Sequence, residues 1–432
     1  MLTTLLISLI IIVVFIASIL FFPSVVIRKH TLKVYSLIPC FGALLLIMFN
    51  EIEFSKVVRA FTENTSVNPI KILVLFLSMT VFSLVLEQTG FFEYISTKVL
   101  EKSGNNQFVT FISLYIVISV LTVFTSNDII ILTFTPFICH FCKSAKISPT
   151  PYLIMEFIAA NTWSTLLIIG NPTNIYICGA FGIDFMKYLS VMLLPTLLTV
   201  VASLSVMLLL FYRRLKKKME KCEEHGKITD KPVMIISLVH LIICIVALAV
   251  SQYINVEMWI ISLLVAISEI ISVLICFAVR GRVPSILGKA LSGMPFEIIP
   301  FVVGMFIIVM ALDAGGATVM LAKLLGEHNE IFSYGLMSFI SANVINNIPM
   351  SVLFSKILSY SSELGVGGIY ATVIGSNIGA FLTPVGALAG IMWSNLLRKN
   401  GVKISFARFM RFGAVIGLPS ILAALIGLSL VL

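Results

Sequence analysis

The stretch "IIGNPTNIY" (residues 168–176) interrupts a segment from Tyr152 to Tyr188 that is otherwise largely apolar. Proline lacks the amide hydrogen that a helix needs, and it disfavours helical backbone at the residue before it. Glycine readily adopts conformations that end a helix. Gly170 and Pro172 therefore predict a break in a helix, and the polar residues around them can cap the turn that restarts it.

The composition indicates where this broken helix lies. The chain has 432 residues, of which 59% are hydrophobic and 11% are charged, and its mean hydropathy is +1.09. Soluble domains contain about 25% charged residues. Uncharged runs such as Leu2 to Phe22 are long enough to cross a bilayer. The chain is therefore predicted to be a polytopic membrane protein, with membrane lipid as its surroundings.

The net charge of +9 does not indicate a nucleic-acid partner, because the basic residues are dispersed between the hydrophobic spans. They are better interpreted as topology signals that mark the cytoplasmic side. This assignment places both termini outside and predicts a cell membrane location with many crossings. The seven cysteines are scattered, and even "CHFC" (139–142) has no second ligand pair, so we predict no metal site and no cofactor.

The two halves of the chain repeat the same order of features. "LVLEQTGFFEYISTKVLEKSG" (84–104) parallels "IVMALDAGGATVMLAKLLGE" (308–327), which pairs Glu87 with Asp313. The charge-derived topology gives each half an odd number of crossings, so the halves enter the membrane from opposite sides. We predict an all-α protein with two inverted-topology repeats, residues 1–212 and 232–432, joined by a basic cytoplasmic loop at 213–231.

The apolar pattern of each half predicts five full spans and one re-entrant hairpin, which gives about ten transmembrane helices and two hairpins in total. One full span in each half is discontinuous near mid-membrane. The predicted spans are Leu2–Phe22, Val34–Asn50, Lys71–Gln88, Tyr152–Ala180, Leu189–Tyr212, Pro232–Val250, Met258–Phe277, Phe296–Leu312, Tyr370–Leu397 and Phe412–Leu432, with hairpins around Asp128 and Asn347.

The two helix breaks and the two hairpin tips are predicted to meet at the membrane centre. Free helix ends there can hold a solute and a cation. An acid at membrane depth is costly unless it faces such a cavity, and only Asp128 is expected to lie deep. We predict two groups of residues. The solute would contact Gly170, Asn171, Pro172, Thr173, Asn174, Thr383, Pro384 and Gly386, and the coupling H⁺ or Na⁺ would contact Ser126, Asn127, Asp128, Asn161, Asn346, Asn347 and Asn377.

This arrangement predicts an ion-coupled secondary transporter that works by alternating access on a small molecule or inorganic ion. No phosphate-binding "GxxxxGK[ST]" loop occurs, so direct ATP hydrolysis would need a partner ATPase, which could bind the basic loop. An intramembrane enzyme is disfavoured because no HExxH motif and no catalytic pair is found. A passive ion channel is a further alternative.

Several motifs resemble the bacterial arsenite-efflux permeases, within the ion-transporter superfamily that also contains citrate and dicarboxylate carriers and sodium/proton antiporters. They are "LEQTGFFEY" (86–94), "SNDIIILTFTPF" (126–137), "NNIPMSVL" (346–353) and "ATVIGSNIGAFLTPVGALAGIMW" (371–393). The sequence has Asn161 and Asn377 where those permeases typically have aspartate, and Ala380-Phe381 where they have Pro-Lys. The motif "GNPTN" is closer to the antiporters and carboxylate carriers.

The resemblance implies arsenite or antimonite efflux, or transport of a related anion. A sodium-coupled citrate or dicarboxylate carrier and a sodium/proton antiporter remain open. The resemblance to bacterial permeases also implies a location in the bacterial cytoplasmic membrane, and similarity to the carboxylate carriers implies a homodimer.

Overall fold

The computed structural model describes residues 2–21, 25–27, 30–65, 68–220, 226–251, 253–326, 329–360 and 365–432. Phe22 and residues 221–225 of the basic loop lie outside the described residues. The first half forms ten α-helices, a 3-10 turn at Ile168–Gly170 and a two-stranded hairpin, β1 (Val25–Ile27) and β2 (His30–Leu32). Its helices are α1 (Leu2–Phe21), α2 (Val34–Met48), α3 (Phe54–Thr62), α4 (Pro69–Gln88), α5 (Phe91–Ser103), α6 (Gln107–Phe124), α7 (Asn127–Ser144), α8 (Thr150–Trp163), α9 (Pro172–Ala180) and α10 (Phe185–Leu215).

The second half repeats this order of helices. Each half has two short helices beside its spans, then a helical hairpin, an interrupted helix and a long final helix. The second series is α11 (Lys231–Ala249), α12 (Met258–Val279), α13 (Ser285–Ser292), α14 (Ile298–Ala314), α15 (Ala317–Gly326), α16 (Glu330–Ile345), α17 (Asn347–Ser359), α18 (Val366–Gly379), α19 (Leu388–Lys399) and α20 (Phe406–Val431). The predicted all-α polytopic fold is confirmed.

The number of spans depends on how short and broken helices are counted. Among the described residues, six helices are individually long and apolar enough to cross a membrane, and the bent pair α14 and α15 would be a seventh. Including the shorter α1 and α2 and counting α8–α9 and α18–α19 each as one interrupted crossing adds four. Leaving out α6, which forms one arm of the hairpin with α7, then gives ten spans.

One helix of each half packs against helices of the other half, so the two halves exchange a helix. Helix α4 packs against α11, α12 and α13 of the second half, and α14 packs against α1 and α2 of the first half. Ion pairs join the beginnings of these helices: Lys33 with Glu297, and Lys71 with Glu257 at 2.5 Å. Because Lys33 and Glu297 are the N-caps of α2 and α14, these two helices begin at the same end of the molecule.

This exchange bears on the orientation of the repeats. Helices α2 and α4 are consecutive spans separated only by the nine-residue α3, so they cross a membrane in opposite directions. Since α14 begins beside the start of α2, it must run opposite to α4, its counterpart in the other half. The packing therefore favours the predicted inverted relationship.

The interrupted helices occupy the protein interior. Residues Thr150–Thr162 of α8 and Gly367–Gly379 of α18 are buried throughout. In contrast, α10, α11, α12 and α20 carry exposed leucine, isoleucine and valine side chains along their length, as expected of helices that face lipid. The polar breaks thus lie inside a shell of apolar helices.

Candidate functional site

The first predicted break is present. Helix α8 ends at Trp163, the 3-10 turn covers Ile168–Gly170, and Asn171 is extended, with φ −150° and ψ 141°, before α9 begins at Pro172. A Cβ atom on Gly170 would lie 2.3 Å from the carbonyl oxygen of Ser164. Only glycine allows the chain to approach itself this closely, so Gly170 fixes the shape of the break.

The polar residues of this break satisfy its free backbone groups. The Asn171 side chain accepts a hydrogen bond from the backbone NH of Thr173 at 3.2 Å and caps α9. Asn174 Nδ2 donates to the carbonyl oxygens of Ser164 and Leu167, at 2.8 and 3.2 Å. Two carbonyls left by the interrupted helix therefore accept side-chain hydrogen bonds, which helps to stabilise a break inside a membrane protein.

Two residues of α18 close the first break from the other half of the chain. Asn377 Oδ1 accepts hydrogen bonds from Asn171 Nδ2 at 2.8 Å and from Ser164 Oγ at 3.0 Å, and Asn377 Nδ2 donates to Asn174 Oδ1 at 2.7 Å. Ser376 Oγ donates to Thr173 Oγ1 at 2.7 Å. We call this group the central cluster; it comprises Ser164, Asn171, Thr173, Asn174, Ser376 and Asn377, all of them buried.

The tip of the α6–α7 hairpin forms a second polar group. Asn127 Nδ2 donates to Asn161 Oδ1 at 3.0 Å, and Asn127 Oδ1 accepts from the backbone NH of Asp128. Asp128 is 7% exposed and lines a small enclosed void of about 10 Å³ together with Ser126 and Leu388. Within the described part of the chain, the buried Ser126 Oγ has no hydrogen-bond partner.

The second break is held by the α16–α17 hairpin. Helix α18 ends at Gly379 and α19 begins at Leu388, so the predicted break around Pro384 is also present. Asn346, which has a φ of 72°, donates from Nδ2 to the carbonyl oxygen of Val385 at 2.8 Å. The backbone NH of Asn347 donates to the carbonyl oxygen of Gly386 at 2.9 Å. Thr383 Oγ1 donates to Asn343 Oδ1 at 2.8 Å.

A match to a known protein family identifies the family of the chain. Residues 24–369 match the family described as CitMHS: Citrate transporter. The chain belongs to the citrate transporter family. It is thus a membrane transporter by family, and the prediction of a transport protein with the arsenite permeases among its relatives is confirmed.

Proteins similar to this member of the citrate transporter family have several names. An arsenical pump membrane protein of Escherichia coli is 28% identical over 377 residues, covering 82% of this chain and 85% of the relative. An uncharacterized transporter of Mycobacterium tuberculosis is 25% identical over 377 residues, covering 83% and 86%. In fold, the chain is similar to the YdaH transporter of Alcanivorax borkumensis, whose crystal structure has an unusual topology. The TM-score is 0.59 at 13% identity, over 99% of this chain and 97% of that one.

Sequence reasoning missed three residues of these polar groups: Ser164, Ser376 and Asn343. Asn343 donates from Nδ2 to the carbonyl oxygen of Gly379 at 2.9 Å and so supports the end of α18. The signal that was available is spacing, because Ser164 follows Asn161 by three residues and Asn343 precedes Asn346 by three. Ser376 is directly adjacent to Asn377.

Asn161 and Asn377 occupy equivalent positions in the two halves but have different environments. Both lie two residues before the end of their helix, at Trp163 and at Gly379. Asn161 bonds to the hairpin tip of its own half, whereas Asn377 bonds to the break of the other half. The structure therefore places Asn377 with the predicted solute residues and keeps Asn161 with the predicted coupling-ion residues.

Two further acids are buried inside the protein. Glu156 in α8 and Glu269 in α12 are both 0% exposed. Glu156 Oε1 accepts a hydrogen bond from Thr135 Oγ1 at 2.8 Å. Both acids therefore lie where helices of the chain pack against one another.

Proposed function

We propose that this chain is an ion-coupled secondary transporter that exports arsenite or antimonite from the bacterial cytoplasm by alternating access between its two inverted repeats. Membership of a transporter family supports the class. Relatives named arsenical pump membrane proteins support the solute. The interrupted helices support the position of the site, because broken helices persist at membrane depth only where protein or a cavity covers them.

The neutral chemistry of the central cluster carries the choice of solute. Its members present only amide and hydroxyl groups, together with the backbone around Gly170 and Pro172. Arsenite near neutral pH is an uncharged trihydroxide, and each of its hydroxyl groups can donate and accept a hydrogen bond. A citrate or dicarboxylate anion would bring two or three charges to a cluster without a lysine or arginine, and an unpaired buried charge is costly.

The coupling cation is assigned to Asp128. This acid is buried beside a void at the hairpin tip, and Ser126, Asn127 and Asn161 offer oxygen ligands or proton partners around it. Asn346 and Asn347 hold the second hairpin against its break, so in this proposal they link movement of that hairpin to the solute turns at Thr383, Pro384 and Gly386. The cation is H⁺ or Na⁺, and no organic cofactor or resident metal takes part.

A citrate or dicarboxylate carrier is the second candidate, and the family description favours it. Sodium/proton exchange without a solute and passive conduction are further alternatives. Saturable counter-exchange of solute would exclude the channel, because a channel does not exchange one bound solute for another.

The basic loop carries the partner hypothesis. Its backbone is bonded at several points: the NH of Met219 donates to the carbonyl oxygen of Asn105, and the NH of Glu220 donates to that of Ala145. These contacts favour a loop anchored to its own chain, while a partner ATPase and a homodimer stay predictions. Co-purification with an ATPase and the mass of the detergent-solubilised protein would test the two.

The decisive experiment uses inside-out vesicles from cells that lack their own arsenite efflux system. We expect arsenite accumulation that is driven by a proton or sodium gradient and abolished in Asp128→Asn, with the variant present at wild-type level in the membrane. Labelled citrate and succinate are tested in parallel. Sodium-dependent citrate uptake without arsenite uptake would replace the arsenite proposal with the carboxylate one.

A further inference from the structure

A cavity of about 360 Å³ lies between the end of α4, the start of α5 and the middle of α7. Glu87 and Glu93 line one side of it, and Thr133, Phe137 and His140 of α7 line another. The positive-inside assignment places this end of the molecule in the cytoplasm. The function proposed above assigns no role to this cavity.

Glu87 differs from its equivalent in the second half. Glu87 and Asp313 each precede by three residues a glycine with positive φ, Gly90 at 77° and Gly316 at 80°. Asp313 accepts a hydrogen bond from Thr318 at 2.5 Å and lies 4.0 Å from the Lys356 ammonium group. The Glu87 carboxyl has no hydrogen bond or ion pair within the described part of the chain.

The helices that face these two acids explain the difference. Lys356 belongs to α17, and the first-half hairpin helix α7 has Pro136 and Phe137 in the corresponding region. The second half therefore supplies its own cation to the acid, and the first half leaves the acid facing an open cavity. A cation from solution can occupy the position that Lys356 holds on the other side.

Pro136 also affects a backbone oxygen of α7 that could act as a ligand. Because proline has no amide hydrogen, the carbonyl of Leu132, four residues earlier in α7, loses its usual helical donor. Leu132 and Thr133 both line the cavity. A carboxyl group, a hydroxyl group and a free carbonyl are the oxygen ligands that a hard monovalent cation prefers.

The cavity adjoins the void that contains Asp128. Leu132 lines both spaces, and Leu84, one helical turn before Glu87 and Gln88 on α4, lines the void. Ser126, 8% exposed and with its hydroxyl unpartnered, and Asp128, 7% exposed, lie on the inner side. Leu132 is the residue shared by the linings of the cavity that Glu87 faces and of the void that Asp128 lines.

We propose that this cavity is the cytoplasmic binding site of the coupling cation, a proton or Na⁺, with Glu87 as its carboxyl ligand and Leu132 as the barrier in front of Asp128. The inference rests on the proposed ion-coupled transport and adds the site through which the cation enters or leaves. Loss of the Glu87 carboxyl then weakens cation binding without removing the acid that couples the cation to the solute.

The test is cation-dependent arsenite transport in vesicles by Glu87→Gln. One arm varies Na⁺ at constant pH, and the other varies pH without Na⁺; the arm in which the wild type responds identifies the cation. In that arm we expect the half-saturating cation concentration of Glu87→Gln to rise at least tenfold, with the maximal rate kept at saturating cation.

Two matched pairs of variants make the test specific. Asp313→Asn alters the equivalent acid that already has Lys356, so its half-saturating concentration should stay within twofold of wild type. Phe137→Lys supplies a cation beside Glu87 and should reproduce the Glu87→Gln shift, while Phe137→Leu should not. The Phe137 pair also decides the question if Glu87→Gln does not reach the membrane.

The outcomes separate this inference from the proposed function. A wild-type protein that transports arsenite without response in either arm, or does not transport it, contradicts the proposed function and the inference with it. A cation-coupled wild type whose half-saturating concentration is unchanged in Glu87→Gln and in Phe137→Lys overturns the cation site alone.

Discussion

The two helix breaks of this chain restart their helices from a similar extended residue but differ in chemistry. Asn171 and Ala387 precede the restarted helices with nearly the same extended conformation, φ −150° and ψ 141° against φ −145° and ψ 156°. In the first break the restarted helix is capped by a side chain, and asparagines fill the gap. In the second break the corresponding residue is alanine, and the hairpin tip stabilises the gap through the Asn346 side chain and the Asn347 backbone NH.

This difference separates two roles. The first break is a set of amide and hydroxyl groups shared by both halves of the chain, so any relative movement of the halves changes its hydrogen bonds. The second break is held almost wholly by its own half, through Asn343, Asn346 and Asn347. We infer that the first break recognises the solute and that the second carries the movement of the α16–α17 hairpin.

The largest effect that this comparison predicts is that of Asn377→Ala. The substitution leaves Ser164, Asn171 and Asn174 without the partner that links them to α18, at a cost of about 1–3 kcal/mol for each buried group left unsatisfied. Arsenite transport in vesicles should fall at least tenfold. The thermal unfolding temperature of the purified protein in detergent should also decrease.

Asn343→Ala is the matched control for Asn377→Ala, because it removes a half-buried asparagine whose bonds stay within the second half. Its unfolding temperature should decrease, while a substantial part of the transport should remain. Equal loss of transport in the two variants would show that the breaks do not differ in role.

A smaller effect distinguishes the two glycines at the breaks. In Gly170→Ala the new Cβ would meet the Ser164 backbone at 2.3 Å, and in Gly386→Ala it would meet the Asn343 side chain at 2.7 Å. Backbone cannot move aside as a side chain can, so we expect Gly170→Ala to lose about 1–3 kcal/mol or more, and Gly386→Ala less. The unfolding temperature and the transport rate of both variants measure this difference. A larger loss of stability in Gly386→Ala than in Gly170→Ala would contradict the claim that the backbone of the first break is the more rigid.

Much of this framework was predictable, because breaks and hairpin tips leave a local signal. Gly170, Pro172 and Pro384 interrupt apolar stretches, and glycine and proline at such positions favour a break in a membrane helix. The exchange of α4 and α14 between the halves was not predictable, since it depends on contacts between segments that are distant in sequence. The same limitation hid the different hydrogen-bond partners of Asn161 and Asn377.

The smallest predicted effect lies outside the membrane, where each half joins the start of its first helix to the loop after its second. In the first half Thr4 Oγ1 donates to Glu51 at 2.5 Å, and in the second half Arg280 donates to both carboxylate oxygens of Asp230 at 2.8 Å. The Thr4 hydrogen bond lowers the pKa of Glu51. Burial raises the pKa of Asp230, but the hydrogen bonds from Arg280 and the Val233 backbone NH, together with the charges of Arg280 and Arg282, outweigh it and the pKa is lowered.

Both acids therefore bind protons less readily in the folded chain than in the unfolded chain. Their stabilising contributions are complete above the unfolded values of about 4 and are lost as the pH falls through the lower folded values. Arg280→Met should reduce the unfolding temperature slightly at pH 7, and this difference from wild type should shrink below about pH 4 as Asp230 is protonated. Thr4→Val should show the same trend with a smaller amplitude, because Glu51 is more open to water than Asp230. If the difference in unfolding temperature between Arg280→Met and wild type grew on acidification, a lowered pKa of Asp230 would be contradicted. The Arg280–Asp230 ion pair would then not be a stabilising contact of the second half.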